Sequence, residues 1–300
     1  MISIAMATYN GARFIREQIE SILTQTVQDF EVIISDDNSS DDTMNILKEY
    51  EIKDKRFRVY GNEVTIGFKN NFENAIRKCR GEYIALCDQD DIWLPNHIEL
   101  LLNAMKSGVQ IVCGRPLFVD ENNHELPLKY DYLLMYYPPV SAEDVSRHIF
   151  LGRSTYQGAS MLIRSSFFEK ALPIPNDVDY HDSWFAILAC FTGGLVYVNK
   201  PTMRYRRQTE SVTFSDRRCS VLRRLVASIV HDHTNDRPYM IQGVRKRATS
   251  LSPSQNRFLN KMEKMIGRSK CLSGRIANIP YVVYHYKSVF ACDLKHILLK

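Results

Sequence analysis

The stretch Tyr83-Ile84-Ala85-Leu86-Cys87-Asp88-Gln89-Asp90-Asp91-Ile92-Trp93-Leu94-Pro95 decides how this chain is read. Tyr83 to Cys87 is a short apolar run that predicts a buried strand, and it passes directly into a polar turn with three aspartates. Pro95 then opens a helix carrying Ile98, Leu101, Leu102 and Met105, since proline suits a first helical turn. The whole is a β-α unit whose acidic turn stands at the C-terminal end of its strand.

The same rhythm runs outward towards the N-terminus. Ile2 to Ala7 reads as a strand, Tyr9-Asn10-Gly11 as a turn, and Phe14, Ile15, Ile19, Ile22 and Leu23 as one face of a helix. Phe30 to Ser35 is a second strand. It ends in Asp36-Asp37-Asn38-Ser39-Ser40-Asp41-Asp42, residues suited to cap the helix Thr43 to Tyr50. A third unit has the strand Phe57 to Tyr60 and a helix with Phe72, Ala75, Ile76 and Cys79 on one face. Repeated units of this kind predict a mostly parallel sheet with right-handed crossovers and helices on both faces. After a strand at Val109 to Gly114 the pattern loosens. Asp120 to Pro139 reads as a loop or lid, Ala159 to Ile163 as a strand, His181 to Phe191 as a helix, and Leu195 to Val198 and Thr202 to Arg206 as two strands.

In an open α/β sheet, ligands bind at the C-terminal ends of the strands, and three acidic clusters fall there: Asp36-Asp37, Asp88-Gln89-Asp90-Asp91 and Asp179-Tyr180-His181-Asp182. An Asp-x-Asp after a buried strand can aim two carboxylates at one divalent ion. Mg²⁺ or Mn²⁺ takes a few carboxylates plus phosphate oxygens and water, so this cluster calls for a phosphorylated ligand. The competing reading is an acidic turn that caps the helix after Pro95. Asp37 is open to two readings as well: a cap for the helix at Thr43, or an acceptor for a nucleobase N–H or ribose hydroxyl.

Bulk properties narrow the class. Of 300 residues 45% are hydrophobic, enough for a sizeable core and against global disorder. Met1 to Thr8 reads as a strand and not as a signal peptide, and the uncharged run Trp184 to Asn199 is too short and glycine-broken to span a bilayer. Seven cysteines with no C-x-x-C pair lie mostly in apolar runs, which predicts reduced core thiols and a cytoplasmic protein. The net charge of +5 hides an asymmetry: Arg217 to Lys300 hold 17 Lys/Arg against 4 Asp/Glu, leaving −8 on the remainder. In the tail, Arg217-Arg218, Arg223-Arg224 and Arg245-Lys246-Arg247 interleave with apolar residues. That pattern fits a peripheral contact with the anionic inner face of the plasma membrane, or a helical subdomain packed on the acidic body. Nucleic-acid binding is not expected, because no recognised module accompanies the charge.

Taken together, these segments resemble glycosyltransferase family 2, inverting enzymes of the GT-A fold. The matching pieces are Ala7-Thr8-Tyr9-Asn10, Asp36 to Thr43, Asn62 to Gly67 with Asn71-Phe72, Gly81 to Ala85, Asp88 to Pro95, Gly158 to Met161, His181 to Trp184 and Tyr205-Arg206-Arg207-Gln208. Asp-Gln-Asp-Asp-Ile-Trp and the stretch from Leu172-Pro173 to His181-Asp182 look most like bacterial rhamnosyltransferases of O-antigen and capsule assembly. The resemblance implies a GT-A catalytic domain over residues 1–215 and a basic helical extension over 216–300. It further implies a nucleotide-diphosphate sugar donor, a glycan or lipid-linked glycan acceptor, and Mg²⁺ or Mn²⁺ as cofactor.

Carried over residue by residue, the resemblance puts Thr8, Tyr9, Asp37 and Asp88 beside the nucleotide. Asp90 and Asp88 become the metal ligands and Asp182 the catalytic base. Relatives often close the last strand with Tyr-Arg-x-His; here Gln208 stands in the histidine's place, and Arg206, Arg207 and Gln208 are candidates for holding the diphosphate. His181 is expected as a packed or helix-capping histidine, Trp93 and Trp184 as core or acceptor-platform residues, and Lys69 as a solvated loop charge. Two other classes compete: a sugar-nucleotide pyrophosphorylase, whose Gly-rich basic signature is absent from Ala7 to Arg13, and a binding protein that has lost turnover.

Overall fold

Apolar residues alternate along the first strands, and the alternation sorts them into two cores. The computed structural model describes residues 1–126, 142–150, 156–207 and 236–268. In it, β1 (Ile2–Thr8), β2 (Phe30–Asp36), β3 (Phe57–Gly61) and β4 (Tyr83–Asp88) form the order β3-β2-β1-β4, all parallel. Ile4, Met6, Ala85 and Cys87 enter one core, while Ala5, Ile84 and Leu86 enter the other. A strand buried on both faces has no polar side to spare, which is why these runs read as continuously apolar.

Helices cover each face according to their periodicity. α1 (Ile15–Leu23), α2 (Thr43–Lys53) and α4 (His97–Ala104) pack Ile15, Ile19, Ile22, Ile46, Leu47, Ile98 and Leu101 into one core. α3 (Phe68–Lys78) packs Phe72, Ala75 and Ile76 into the other. Pro95 stands two residues ahead of α4 and outside it, where its carbonyl accepts the Thr26 N–H.

The second half of the sheet departs from a parallel plan. β6 (Ile111–Val119) and β8 (Leu195–Arg206) pair in parallel, but β7 (Met161–Arg164) lies antiparallel between β4 and β6. The short β5 (Ile92–Trp93) pairs antiparallel with β8 at the edge, completing the order β3-β2-β1-β4-β7-β6-β8-β5. The sheet is therefore mixed. Two strands expected at 195–198 and 202–206 are one, because register shifts around Arg115 on β6 absorb the polar interruption at Asn199-Lys200-Pro201. β7 starts at Met161, since Gly158–Ser160 form a single 3₁₀ turn.

On this second face lie α5 (Ala142–Phe150), the short α6 (Phe168–Ala171), α7 (His181–Thr192), α8 (Arg237–Arg247) and α9 (Pro253–Arg268). α7 is buried along nearly its whole length. Met240, Ile241 and Val244 of α8 and Phe258, Leu259, Met262, Met265 and Ile266 of α9 join the same core as α3 and α7. At roughly 1.5–3 kcal/mol per buried side chain, before ordering entropy is subtracted, that contact anchors both helices firmly. Gly243 allows the approach: a Cβ there would sit 2.8 Å from the Trp184 ring. Arg247 stacks over the same indole at 5.0 Å and donates to the carbonyls of Lys170, Ala171 and Pro173, and Arg245 pairs with Glu263. These two tail arginines are thus engaged by the body and by α9. Arg217, Arg218, Arg223 and Arg224 lie outside the described residues, as does most of the expected lid at 120–139. No helix of the described residues is long and apolar enough to cross a membrane.

Candidate active site

Three adjacent parallel strands end side by side, and their last residues are Thr8, Asp36 and Asp88. The loops after β1 and β2 are joined by side-chain hydrogen bonds. Asp36 accepts from the hydroxyls of Thr8 (2.7 Å) and Ser39 (2.6 Å) and from the Ser39 N–H. Asn10 accepts from the Ser40 N–H, Gly11 N–H donates to Thr43, and Ala12 N–H donates to Asp41. Asp37 is buried, and its carboxylate takes the N–H groups of Ile66 and Gly67, both at 2.8 Å, and the amide of Asn62. Asp37 therefore does not cap α2, a task that falls to Asp41 at the Thr43 N–H. It fastens the 62–67 loop beside Thr8, leaving Tyr9, half exposed, as the open face of this wall.

Gln89, the middle residue of the Asp-x-Asp, has a function the sequence did not reveal. Its side-chain amide brackets the Tyr9 backbone, accepting the Tyr9 N–H at 2.8 Å and donating to the Tyr9 carbonyl at 2.9 Å. Gly11 is needed for this bracket, since a Cβ there would fall 2.2 Å from the Gln89 Oε1. One amide thus locks the β1 loop to the acidic turn.

The acids of that turn separate into different roles. Asp91 is buried; one oxygen accepts the Arg206 N–H at 3.0 Å, the other has no hydrogen-bond partner among the described residues, and burial pushes its carboxyl well above the usual range. Asp88 keeps partial contact with solvent, yet its carboxyl is pushed up to about 7, by desolvation first and then by the charges of Asp90 and Asp182. Among the described residues no group donates a hydrogen bond to the Asp88 side chain. Asp182, in the first turn of α7, is pushed up to about 6 by burial, opposed by hydrogen bonds from Ser183 and the Gly158 backbone and by the charge of Arg237. The influence of Asp182 on Asp88 places the start of α7 within electrostatic reach of the acidic turn, although the two are more than ninety residues apart in sequence. Carboxylates that repel one another, with no donor to relieve Asp88, suit a hard cation that also binds phosphate oxygens. Among the described residues no three His, Cys, Asp or Glu side chains converge as a ready-made cage.

Other expected site residues sit elsewhere. Arg206 is buried, and its guanidinium donates to the carbonyls of Asp90 and Glu121 and to Glu17 while stacking on Phe14 at 4.5 Å. With these N–H groups committed, it braces the acidic turn and is not placed to hold a diphosphate. Arg207 lies over the rings of Phe118 and Tyr205 at 4.8 and 5.2 Å. Gln208 lies outside the described residues. Lys69 is not a solvated charge: its ammonium donates to the carbonyls of Pro175, Asn176 and Val178 and pins that loop. His181 packs among Phe68, Phe72 and Phe185 and is held neutral by burial, which pushes it down to about 3. Trp184 and Trp93 are both core residues, the latter stacked on His97 at 4.2 Å. Two exposed rings stand beside the turn that opens α7: Tyr180, two residues before Asp182, and Phe68, 6.1 Å from the Tyr180 ring.

Comparison with known proteins bears on this arrangement. The sequence profile of glycosyl transferase family 2 matches residues 3–172, a span that ends before Asp182. An uncharacterized glycosyltransferase of Methanocaldococcus jannaschii is 33% identical over 178 residues, 57% of this chain and 58% of that protein. An Escherichia coli UDP-Glc:α-D-GlcNAc-diphosphoundecaprenol β-1,3-glucosyltransferase is 32% identical over 124 residues, 41% of this chain and 48% of that protein. The chain spans about half the length of the curated relatives it matches. Among solved structures, a mannosyltransferase of Pyrobaculum calidifontis in complex with GDP-Man and Mn²⁺ superposes with a TM-score of 0.58 at 16% identity, covering 99% of this chain and 79% of that one. That likeness shows a GT-A-like fold.

Proposed function

This chain belongs to glycosyl transferase family 2, and we propose that it is an inverting glycosyltransferase acting from a nucleotide-diphosphate sugar on a hydroxyl of a glycan, free or lipid-linked. The observation that supports the reading most is one of placement: Asp88 ends β4 and Asp182 opens α7, close enough that Asp182 and Asp90 add to the effect of burial in raising the Asp88 carboxyl. Thr8, Tyr9 and Asp37 frame the nucleotide side. Tyr180 and Phe68 give the cleft exposed rings on the Asp182 side, suited to a sugar face.

In the reaction, the acceptor oxygen bonds to the anomeric carbon as the bond from that carbon to the diphosphate oxygen breaks. The hydroxyl proton passes to Asp182. A hydroxyl is a poor nucleophile, and a carboxylate raised to about 6 is a stronger base than an ordinary aspartate while still ionised at neutral pH. A single displacement inverts the anomeric centre and needs no covalent nucleophile. Asp90 and Asp88 would hold Mg²⁺ or Mn²⁺, which when bound supplies Lewis-acid stabilisation of the leaving diphosphate. Gln89 and Arg206 keep the two walls of the cleft in register and touch neither reactant.

For the donor we propose dTDP-rhamnose, on the likeness of Asp88 to Trp93 and of the stretch before Asp182 to rhamnosyltransferases of surface-polysaccharide assembly. A UDP-hexose is the second reading, favoured by the relative named for UDP-Glc. The basic excess after Arg217 favours peripheral contact with an anionic membrane face, where a lipid-linked acceptor resides. The test is a thermal-shift screen of TDP, UDP and GDP, each with and without Mn²⁺. Stabilisation by one diphosphate that EDTA abolishes is expected, and it names the base. Equal indifference to all three in folded protein would overturn the reading.

A further inference from the structure

The turn that carries Asp182 is held from outside the sheet. Asp179 and Tyr180 are exposed, and the Asp179 N–H donates to the Asp236 carboxylate at 3.2 Å. Asp236 directly precedes α8 and is buried, as is Arg237 at the first position of that helix. The Arg237 guanidinium lies 3.0 Å from Asp236, and its charge acts on Asp179, Tyr180 and Asp182.

Docking of α8 does not require these charges. Met240, Ile241 and Val244 fill the core, and Gly243 seats the helix on Trp184. Two buried charges are expensive to desolvate, and apolar residues of similar size in their place would often be neutral or stabilising for packing alone. A pair retained under the acidic turn of a catalytic base therefore calls for a function in the turn itself. Among the described residues, the buried cation within reach of Asp179, Asp182 and Asp236 is Arg237.

We propose that Asp236 and Arg237 are a positioning pair that the C-terminal segment supplies to the active site. Asp236 fixes the 179–182 turn through the Asp179 N–H, and Arg237 neutralises the acids packed around that turn, so that Asp182 keeps its place at the start of α7. Neither residue touches substrate. A catalytic unit ending at 215 would consequently lack part of its own site. The catalytic consequence rests on the glycosyltransferase reading; the hold on the turn does not.

The test uses the full chain with Asp236→Ala, Asp236→Asn, Arg237→Gln and Arg237→Lys. Hydrogen–deuterium exchange is followed in the peptide spanning 176–184. In parallel, hydrolysis of UDP-glucose, UDP-GlcNAc, GDP-mannose and dTDP-rhamnose is measured, with the affinity for the matching diphosphate. In Asp236→Ala, exchange in that peptide should rise about tenfold, the scale of one lost hydrogen bond, with β1 and β2 unchanged. Its kcat should fall at least about tenfold through misplacement of the base, at a diphosphate Kd within about twofold. Arg237→Gln should lower kcat in the same way. Asp236→Asn, whose amide oxygen still accepts the Asp179 N–H, should recover slow exchange, and Arg237→Lys should recover most of kcat. Unchanged exchange in Asp236→Ala, or a parallel fall of kcat and diphosphate affinity, would overturn the proposal. Absence of hydrolysis of every donor by the unmodified chain would instead sink the glycosyltransferase reading, and the exchange measurement would still decide whether the pair holds the turn.

Discussion

Two acidic turns close the parallel strands on either side of β1, and they use the same residue in opposite ways. After β2, the carboxylates of Asp36, Asp37 and Asp41 are occupied by N–H and O–H donors from the surrounding loops. After β4, Asp88 receives no such donor among the described residues and is crowded by Asp90 and Asp182. A carboxylate surrounded by donors ties backbone to backbone. One deprived of donors and faced with like charge is stabilised by a cation or a proton, which is the condition of a reactive site. The residue type is common to both turns; the supply of hydrogen-bond donors separates framework from chemistry.

The contrast can be broken most sharply at Asp182. Asp182→Asn should cut sugar transfer by about 10²–10⁴-fold, the usual worth of a general base, while diphosphate affinity measured by calorimetry stays unchanged. Normal transfer by that variant would remove Asp182 from the mechanism. Because the base must be ionised, and burial raises it to about 6, the rate in the unmodified protein should fall as pH drops through about 6.

On the framework side, Asp37→Asn should cost about 1–3 kcal/mol in a denaturant melt. The asparagine turns an NH₂ towards N–H groups that now find an acceptor, leaving one buried donor unpaired. Asp88→Asn should do the reverse and stabilise the metal-free protein by on the order of 1 kcal/mol at pH 8. The sign follows from a folded-state value of about 7, above the unfolded 3.8. The unfavourable contribution is absent below about pH 4, grows as pH rises, and is fully present above about 7. Melts at pH 5 and pH 8 in EDTA should therefore differ less in Asp88→Asn than in the unmodified protein, and the variant should lose Mn²⁺-dependent diphosphate binding. The smallest effect is expected from Lys69→Met, below about 1 kcal/mol for a partly exposed contact, read as faster exchange confined to residues 175–178.

The β-α rhythm of the first hundred residues was legible because buried strands and amphipathic helices impose periods of two and 3.6 on the apolar residues. The position of Asp88 at the end of β4 was legible for the same reason; Asp179 to Asp182, read as standing at the C-terminal end of a strand, instead follow the loop after α6 and open α7, because β7 ends already at Arg164. Arg206 was not: its role depends on Glu17 and Phe14, nearly the length of the catalytic sheet away in sequence, and nothing local to Tyr205-Arg206-Arg207 announces them. Gln89 gave no signal between the two acids because its partner is a backbone amide in the loop after β1. β8 was read as two strands because Lys200-Pro201 breaks the pattern, while the irregular register of β6 that accommodates it belongs to a different segment. Lys69 looked solvated because backbone carbonyls, its partners, carry no sequence signal.

The contact of Gly243 with the Trp184 indole has a consequence for engineering and for descent. Tails of related transferases are natural units to exchange when a new acceptor is wanted. A transplanted helix with any side chain at position 243 would ride up on the indole, lifting everything carried at its N-terminal end, including Asp236 and Arg237. Residues 184 and 243 should therefore be moved as a matched couple in any chimera, and a lineage that enlarges one of them is constrained to shrink the other.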